Sequence, residues 1–201
     1  MNESRILSAA ETVFAEAGYA AASMAAIADR AGLPKANLHY YFGTKHQLYQ
    51  RLLEVIVEAW QHSIGHLQAD ADPAQALCAY IADKVEFSRR RPHASKIFAN
   101  EILHGAPVLS GMLSGPIRVW TDAKVAIIER WIAEGRMRRI DGHHLLFIIW
   151  ASTQHYADFD TQVAALLQRE QLTAEDYQRA TDTLTRMVLA AVGLDAPQKD
   201  S

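Results

Sequence analysis

"GLPKANLHYYFGTKHQLY", residues Gly32–Tyr49, decides how the chain is read. Gly32 and Pro34 mark a tight turn, and the residues after them read as one short helix running to about Phe42. Pro34 suits the first turn of that helix, where its missing N–H has no intrahelical partner to lose. Gly43-Thr44 ends the helix, and Thr44 is placed to cap the next one by accepting from its free N–H groups. His39, Tyr40 and Tyr41 stand side by side inside this short element. Three large side chains with polar tips are poor core material. They call for a surface that uses them.

Upstream, Ile6, Ala9, Ala10, Val13 and Phe14 fall on one helical stripe that ends at Gly18. Met24, Ile27 and Ala28 make a shorter stripe that ends at Ala31-Gly32. Two short helices joined by a glycine turn form the helix-turn-helix pattern. Its second helix lies in the major groove with its N-terminal residues at base edges. Read this way, Lys35, Ala36, Asn37 and His39 face bases. Asn37 can pair bidentately with adenine, and Lys35 can reach guanine acceptors or a phosphate. Tyr40 and Tyr41 offer hydroxyls to phosphate oxygens, while their rings pack the helix in place. Thr44 and Lys45 open the next helix, where N–H groups and a positive dipole favour a phosphate. An ordinary helical hairpin with a tyrosine-rich edge fits the same spacing. Local charge does not decide, because Arg5, Arg30, Lys35 and Lys45 balance Glu3, Glu11, Glu16 and Asp29.

The remainder shows helical periodicity and no sustained period-two alternation. It predicts a long helix from Lys45 to about Leu67, a loop at Asp70–Pro73, and helices over Ala74–Arg90 and Pro92–His104. Ser110–Pro116 interrupts the pattern. A long helix then resumes to about Gly135, followed by helices over Asp141–Leu167 and Thr173–Val192. The fold class is therefore all-α. Residues 1–50 are expected to form a three-helix DNA-binding domain, residues 51–195 a ligand-binding and dimerisation bundle, and residues 196–201 a disordered tail.

Composition narrows the function. The formal net charge of the 201-residue chain is −3, which argues against coating nucleic acid by bulk charge but not against a small local site. Cys78 is the single cysteine, so no internal disulfide forms and a reducing compartment fits. The N-terminus lacks the basic and apolar regions of a signal peptide. "HLLFIIWAS" is far shorter than the ~20 apolar residues that span a bilayer. The expectation is a soluble cytoplasmic protein with no membrane contact and no cofactor.

"SMAAIADRAGLPKANLHYYFGTKHQLY", residues 23–49, resembles the DNA-binding domain of the TetR family. Ile27-Ala28, Ala31-Gly32, Lys35, Leu38, Tyr40, Tyr41-Phe42 and Lys45 carry the resemblance. It implies a dimeric regulator, mostly a repressor in this family, whose grip on a palindromic operator is changed by a small effector in the C-terminal bundle. Two positions depart from the family pattern. Ala22 stands where many members have Thr, which leaves Ser23 to cap the helix, and Pro34 stands where Ser is frequent.

"SRRRPHASKIFANEILHGAP" and "IDGHHLLFIIWASTQHYADF" extend the resemblance to pyrimidine-responsive members of the family. These sense uracil or thymine, and a related heterocycle is the expected effector here. The residues can be read on their own terms. Trp150 and Gln154 are four apart on one helix face, with Thr153 alongside. An indole stacks on a planar ring, and an amide offers the donor and acceptor that complement a uracil edge. Trp60 matches a tryptophan similarly placed in the pyrimidine-responsive members. Tyr156 and Ser152, on a neighbouring face, line either the pocket or the dimer seam. A core role for Trp150 and a buried structural role for Gln154 fit equally well. The long helix from Lys45 is the expected lever between effector and DNA.

The last two helices carry wide apolar arcs, Leu145, Leu146, Ile148 and Ile149, then Leu184, Met187, Val188 and Ala191. Such arcs bury themselves in a partner or inside the subunit, and a twofold homodimer is expected. Rival readings are a different small-molecule sensor, a metal sensor and a helical hydrolase. His62 and His66 have a spacing that can hold zinc, and His143-His144 and His155 with Asp158 add options, yet no run supplies three or four ligands. Ser152, His155 and Asp158 sit at angles that do not converge on one point. Arg89-Arg90-Arg91 reads as a solvated helix end, and Cys78 as packing.

Overall fold

The structure is a computed structural model that describes residues 2–196. Among the described residues there are ten helices of seven residues or more and no strand. They are α1 (Asn2–Ala21), α2 (Met24–Ala31), α3 (Lys35–Phe42), α4 (Lys45–Ile64), α5 (Pro73–Arg90) and α6 (Pro92–Leu103). After a short irregular stretch come α7 (Arg118–Ala133), α8 (Gly142–Asp158), α9 (Asp160–Leu166) and α10 (Ala174–Val192). The tail expected to be disordered falls, from residue 197 on, outside the described residues.

The chain divides into two compact units, residues 1–59 with 93–111, and residues 60–92 with 112–201. The division lies within α4 and returns α6 to the first unit, so it does not coincide with a cut at residue 50. The physical link is Glu101 of α6, which is buried. Its carboxylate accepts from the Tyr49 hydroxyl at 3.2 Å and from the backbone N–H groups of Val108 and Leu109 at 2.6 and 3.2 Å.

In the first unit, the stripe Ile6, Ala9, Ala10, Val13 and Phe14 is buried along α1. Gly18 breaks the helical geometry with φ 72° and ψ 165°. Ser23 caps α2 by accepting from the Ala26 N–H at 3.1 Å. Gly32 ends α2 in the left-handed region at φ 62°, with the Leu33 N–H reaching back to the Ala28 carbonyl. Pro34 is the N-cap of α3 and so precedes the first turn. Thr44 and Gln47 cap α4 reciprocally. The Gln47 N–H donates to Thr44 Oγ1, and the Thr44 N–H donates to Gln47 Oε1.

In the second unit, Asp72 caps α5 and Pro73 opens it. Leu77, Tyr80, Ile81 and Val85 of α5 pack with Ile128 and Trp131 of α7, Leu145, Leu146 and Ile149 of α8, and Leu189 and Val192 of α10. The Ser110–Pro116 interruption is a short turn followed by a π-helical turn at Leu113–Ile117, around Gly115 and Pro116. Proline removes one donor from the ladder, and the ladder widens there.

The helix expected over Asp141–Leu167 is corrected to two. Phe159, at φ −121° and ψ 30°, ends α8, and α9 begins at Asp160, whose carboxylate accepts from the Thr161 N–H at 2.7 Å. Apolar periodicity runs through the break, so the pattern alone does not reveal it. Thr173 and Asp176 cap α10 reciprocally.

Candidate DNA interface and effector site

The glycine turn at Gly32 sets α3 against α2 so that Leu38 and Phe42 face inward. The opposite side is open. Lys35, Ala36, His39, Tyr40 and Tyr41 are exposed and Asn37 is half-buried. Tyr40 is 84% exposed, and its ring meets Tyr41 edge-on with centroids 5.3 Å apart. Two tyrosines held together in water are available to a partner. His39 Nδ1 lies 2.7 Å from the Gly43 carbonyl, so in the neutral ring that nitrogen donates and Nε2 faces outward as an acceptor. Thr44 is exposed at the start of α4.

Lys45 behaves differently from the other predicted contacts. Its ammonium donates to the carbonyls of Tyr19, Ala20 and Ala22 at 2.8, 3.3 and 2.9 Å, and it lies 4.6 Å from the Tyr19 ring centroid. All three of its protons have acceptors at the end of α1, which the sequence did not signal.

The residues expected to hold an effector lie on α4, which carries Trp60, and on α8, which carries Trp150, Thr153, Gln154 and Tyr156. Trp150 Nε1 donates to the Tyr80 hydroxyl at 2.5 Å. One turn on, Lys84 follows Tyr80 on α5 and Gln154 follows Trp150 on α8. Another turn on, Asp158 closes the α8 face. Lys84 is 4% exposed, and its ammonium lies 4.3 Å from the centroid of the Trp60 ring. Burial lowers the Lys84 pKa to about 7, against an opposing pull from the Asp158 carboxylate. Trp60 is buried and meets Phe87 edge-on at 5.7 Å. Trp120, on α7, lies 6.3 Å from Trp150, and Phe147 lies 5.6 Å from it.

Through ring contacts and one hydrogen bond, Trp60 and Trp150 meet Lys84, Tyr80 and Trp120, and Asp158 shares the Gln154 helix; the sequence reading did not select these four residues for this site. A lysine in an apolar helical pattern reads as an exposed position. Only its burial under Trp60 distinguishes it.

Thr153 and Tyr156 make other contacts. The Thr153 hydroxyl donates back to the Ile149 carbonyl at 2.8 Å, and the Thr153 carbonyl accepts from Ser88 at 2.9 Å. Thr153 and Ser152 line an apolar cavity of about 170 Å³ with Ile148, Leu184 and Met187. Tyr156 faces α10, with its ring 6.4 Å from Tyr177.

Among the described residues, no three His, Cys, Asp or Glu side chains gather to hold a metal ion. His66 pairs with Asp83 at 2.8 Å and His143 with Asp122 at 3.1 Å. Ser152, His155 and Asp158 do not converge. Ser152 lines the apolar cavity, and His155 stacks on Phe159 at 5.1 Å. Arg89 and Arg90 both pair with Glu86, and the Arg89 bonds above all pull its carboxyl down to about 2. Cys78 is half-buried, and burial raises its thiol pKa.

Residues 6–52 match the bacterial regulatory proteins of the tetR family, and residues 53–195 match the YcdC-like protein C-terminal region. The chain belongs to the TetR family. It is 37% identical over 187 residues to the HTH-type transcriptional regulator RutR of Escherichia coli K12, covering 93% of this chain and 88% of RutR. It is 30% identical over 134 residues to the HTH-type transcriptional repressor NicS of Pseudomonas putida, covering 66% of this chain and 62% of NicS. Among solved structures, AibR in complex with isovaleryl coenzyme A and operator DNA superposes with a TM-score of 0.71 at 18% identity, covering 93% and 97% of the two chains. TetR-family proteins are DNA-binding transcriptional regulators and not enzymes, they respond to small effectors, and they are typically homodimers. No described helix is long and apolar enough to cross a membrane.

Proposed function

We propose that this TetR-type regulator is a cytoplasmic homodimeric repressor. Its paired α3 helices read a palindromic operator, and it answers to a pyrimidine or related heterocycle held beside Trp150. The observation that carries the DNA reading is the outward face of α3. Lys35, Ala36, His39, Tyr40 and Tyr41 are all exposed, although Leu38 and Phe42 between and beside them are buried. Lys35, Asn37 and His39 are assigned to base edges, and Tyr40, Tyr41 and Thr44 to phosphates. The first turn of α4 offers its N–H groups to the backbone, with the Lys45 side chain holding α1 in register behind it.

The effector reading is supported by the kinship with RutR and by the α5–α8 face. Trp60 and Trp150 supply stacking surfaces, and Gln154 stands one turn beyond the Trp150–Tyr80 bond with a paired donor and acceptor. Dimerisation is assigned to the exposed half of the arcs. Leu145, Leu146, Ile149 and Val188 are buried within the subunit, whereas Ile148 and Met187 stay 58% and 65% exposed. Half-sites one helical turn apart make operator affinity sensitive to the spacing of two heads. A typical coupling of ~1–3 kcal/mol is sufficient to release them.

The test is operator binding by fluorescence anisotropy with and without uracil, thymine, dihydrouracil and hydantoin. A several-fold loss of affinity with one ring, abolished in Gln154→Ala while basal affinity holds, is the expected result. An unchanged response in that variant removes Gln154 from the site.

A further inference from the structure

Hydrogen-bond donors lie on the helices that pack around Trp150. The indole N–H of Trp120 is buried and has no partner among the described residues. Its ring lies 6.3 Å from Trp150. The Tyr80 oxygen accepts from Trp150 at 2.5 Å, which leaves the hydroxyl its own proton to give. Lys84 adds a buried amine, held against the face of Trp60 at 4.3 Å. Tyr80 and Lys84 are successive turns of one α5 face. The Asp158 carboxylate acts on Lys84 through its charge, and Thr153 offers no free acceptor. The Thr153 carbonyl takes the Ser88 hydroxyl, and the Thr153 hydroxyl is spent on its own helix. Buried donors without acceptors are costly, and a buried orphan calls for an explanation.

We infer that the effector of this chain is an acceptor-rich ring carrying negative charge where it meets Lys84, an acidic oxo-heterocycle or a ring carboxylate rather than an amino-substituted ring. The inference rests on the effector site proposed above and narrows its chemistry. Oxo groups accept from Trp120 and Tyr80. A negative oxygen beside Lys84 adds to the pull of the Asp158 carboxylate, favours the protonated amine and accepts from it directly. Stacking on an indole orients the plane. An aminopyrimidine would bring N–H groups to a site already rich in them, and like groups facing each other leave both unpaired.

The experiment is calorimetric titration of the full chain with four rings at neutral pH. They are orotate, a pyrimidine carboxylate; barbiturate, an oxo ring that is ionised; uracil, neutral with two oxo groups; and cytosine, amino-substituted. The expected order is orotate or barbiturate at least about tenfold tighter than uracil, with cytosine weakest, since charge-assisted bonds are roughly twice as strong as neutral ones. Lys84→Met should erase the preference for anions, so that orotate and barbiturate bind no tighter than uracil. Lys84→Gln serves if that variant does not fold. Trp120→Phe should weaken every oxo ring by about tenfold without lowering the melting temperature of the ligand-free protein.

Uracil binding as tightly as both anions, or an anion preference that survives in Lys84→Met, overturns the inference while leaving the effector site in place. A fall in ligand-free stability in Trp120→Phe with unchanged affinities makes its N–H structural and removes it from the site. Binding of none of the four rings overturns the pyrimidine reading as well.

Discussion

The indole N–H of Trp150 on α8 and the hydroxyl of Tyr80 on α5 meet at 2.5 Å across 70 residues of sequence. Tyr80 is 1% exposed, so this bond forms in a dry place and fixes which turn of α8 faces which turn of α5. Tyr80→Phe removes the acceptor and leaves a donor unmade. A loss of roughly 1–3 kcal/mol in chemical unfolding is expected. Unchanged stability would mean that the indole finds another acceptor and that the register is set elsewhere.

Lys84 makes stability depend on pH in a definite direction. Its folded pKa, about 7, lies below the ordinary lysine value of 10.5, so the unfolded chain binds the proton more strongly between those limits. Its contribution to stability therefore rises with pH from about 7 towards 10.5, and below 7 the cost of the buried charge is fully present. Melting temperatures at pH 6.5 and pH 9 should differ less in Lys84→Met than in the parent chain. The variant should also be the more stable of the two at pH 6.5. An identical pH dependence in both proteins would place the proton elsewhere.

Lys45 and Lys35 should separate structure from recognition. Lys45→Met strips three carbonyls at the end of α1 of their donor and should lower stability by about 1–3 kcal/mol, with DNA affinity falling as a consequence. Lys35→Ala should leave the melting temperature unchanged, weaken operator binding and reduce the salt slope by about 1 if it contacts a phosphate. Equal melting temperatures for Lys45→Met and the parent would return Lys45 to the DNA-contacting set.

Asn37→Ala should relax the operator at one base position by about 1–3 kcal/mol and leave other positions alone. Binding-site selection on randomised operators reads this directly. A uniform loss at every position would make Asn37 a backbone contact.

Ile148→Glu places a charge on the exposed apolar half of α8 without touching the buried half. Sedimentation velocity should show monomers at micromolar concentration, with half-site binding only. A dimer that persists would move the interface away from Ile148 and Met187.

Much of the DNA-binding unit was legible because its signals are local. Ile6, Ala9, Ala10, Val13 and Phe14 recur at helical spacing, and all five are buried as that spacing requires. Ser23, Gly32 and Thr44 act within three or four residues of themselves, so capping and turn chemistry can be read from neighbours. The helix break at Phe159 was not legible, because the apolar pattern continues across it while the backbone turns.

The proposed effector site was legible only in part. Trp150 and Gln154 stand out as an aromatic and an amide at i and i+4. Lys84 and Trp120 have no such signature. A lysine and a tryptophan become chemically unusual only through what surrounds them. Thr153 is adjacent in sequence to Gln154, and one residue is a rotation of roughly 100° around a helix. That rotation carries it to the apolar cavity beside Ile148 and Met187.

The all-helical fold, the helix-turn-helix and the residues of its outward face follow from the chain alone, because hydrophobic period, glycine conformation and capping act over a few residues. Tertiary structure alone decided that Lys45 holds α1, that Glu101 joins Tyr49, and that Lys84 lies buried against Trp60. These are meetings between side chains distant in sequence. Burial then changes their chemistry by removing water, which no local pattern of residues can express.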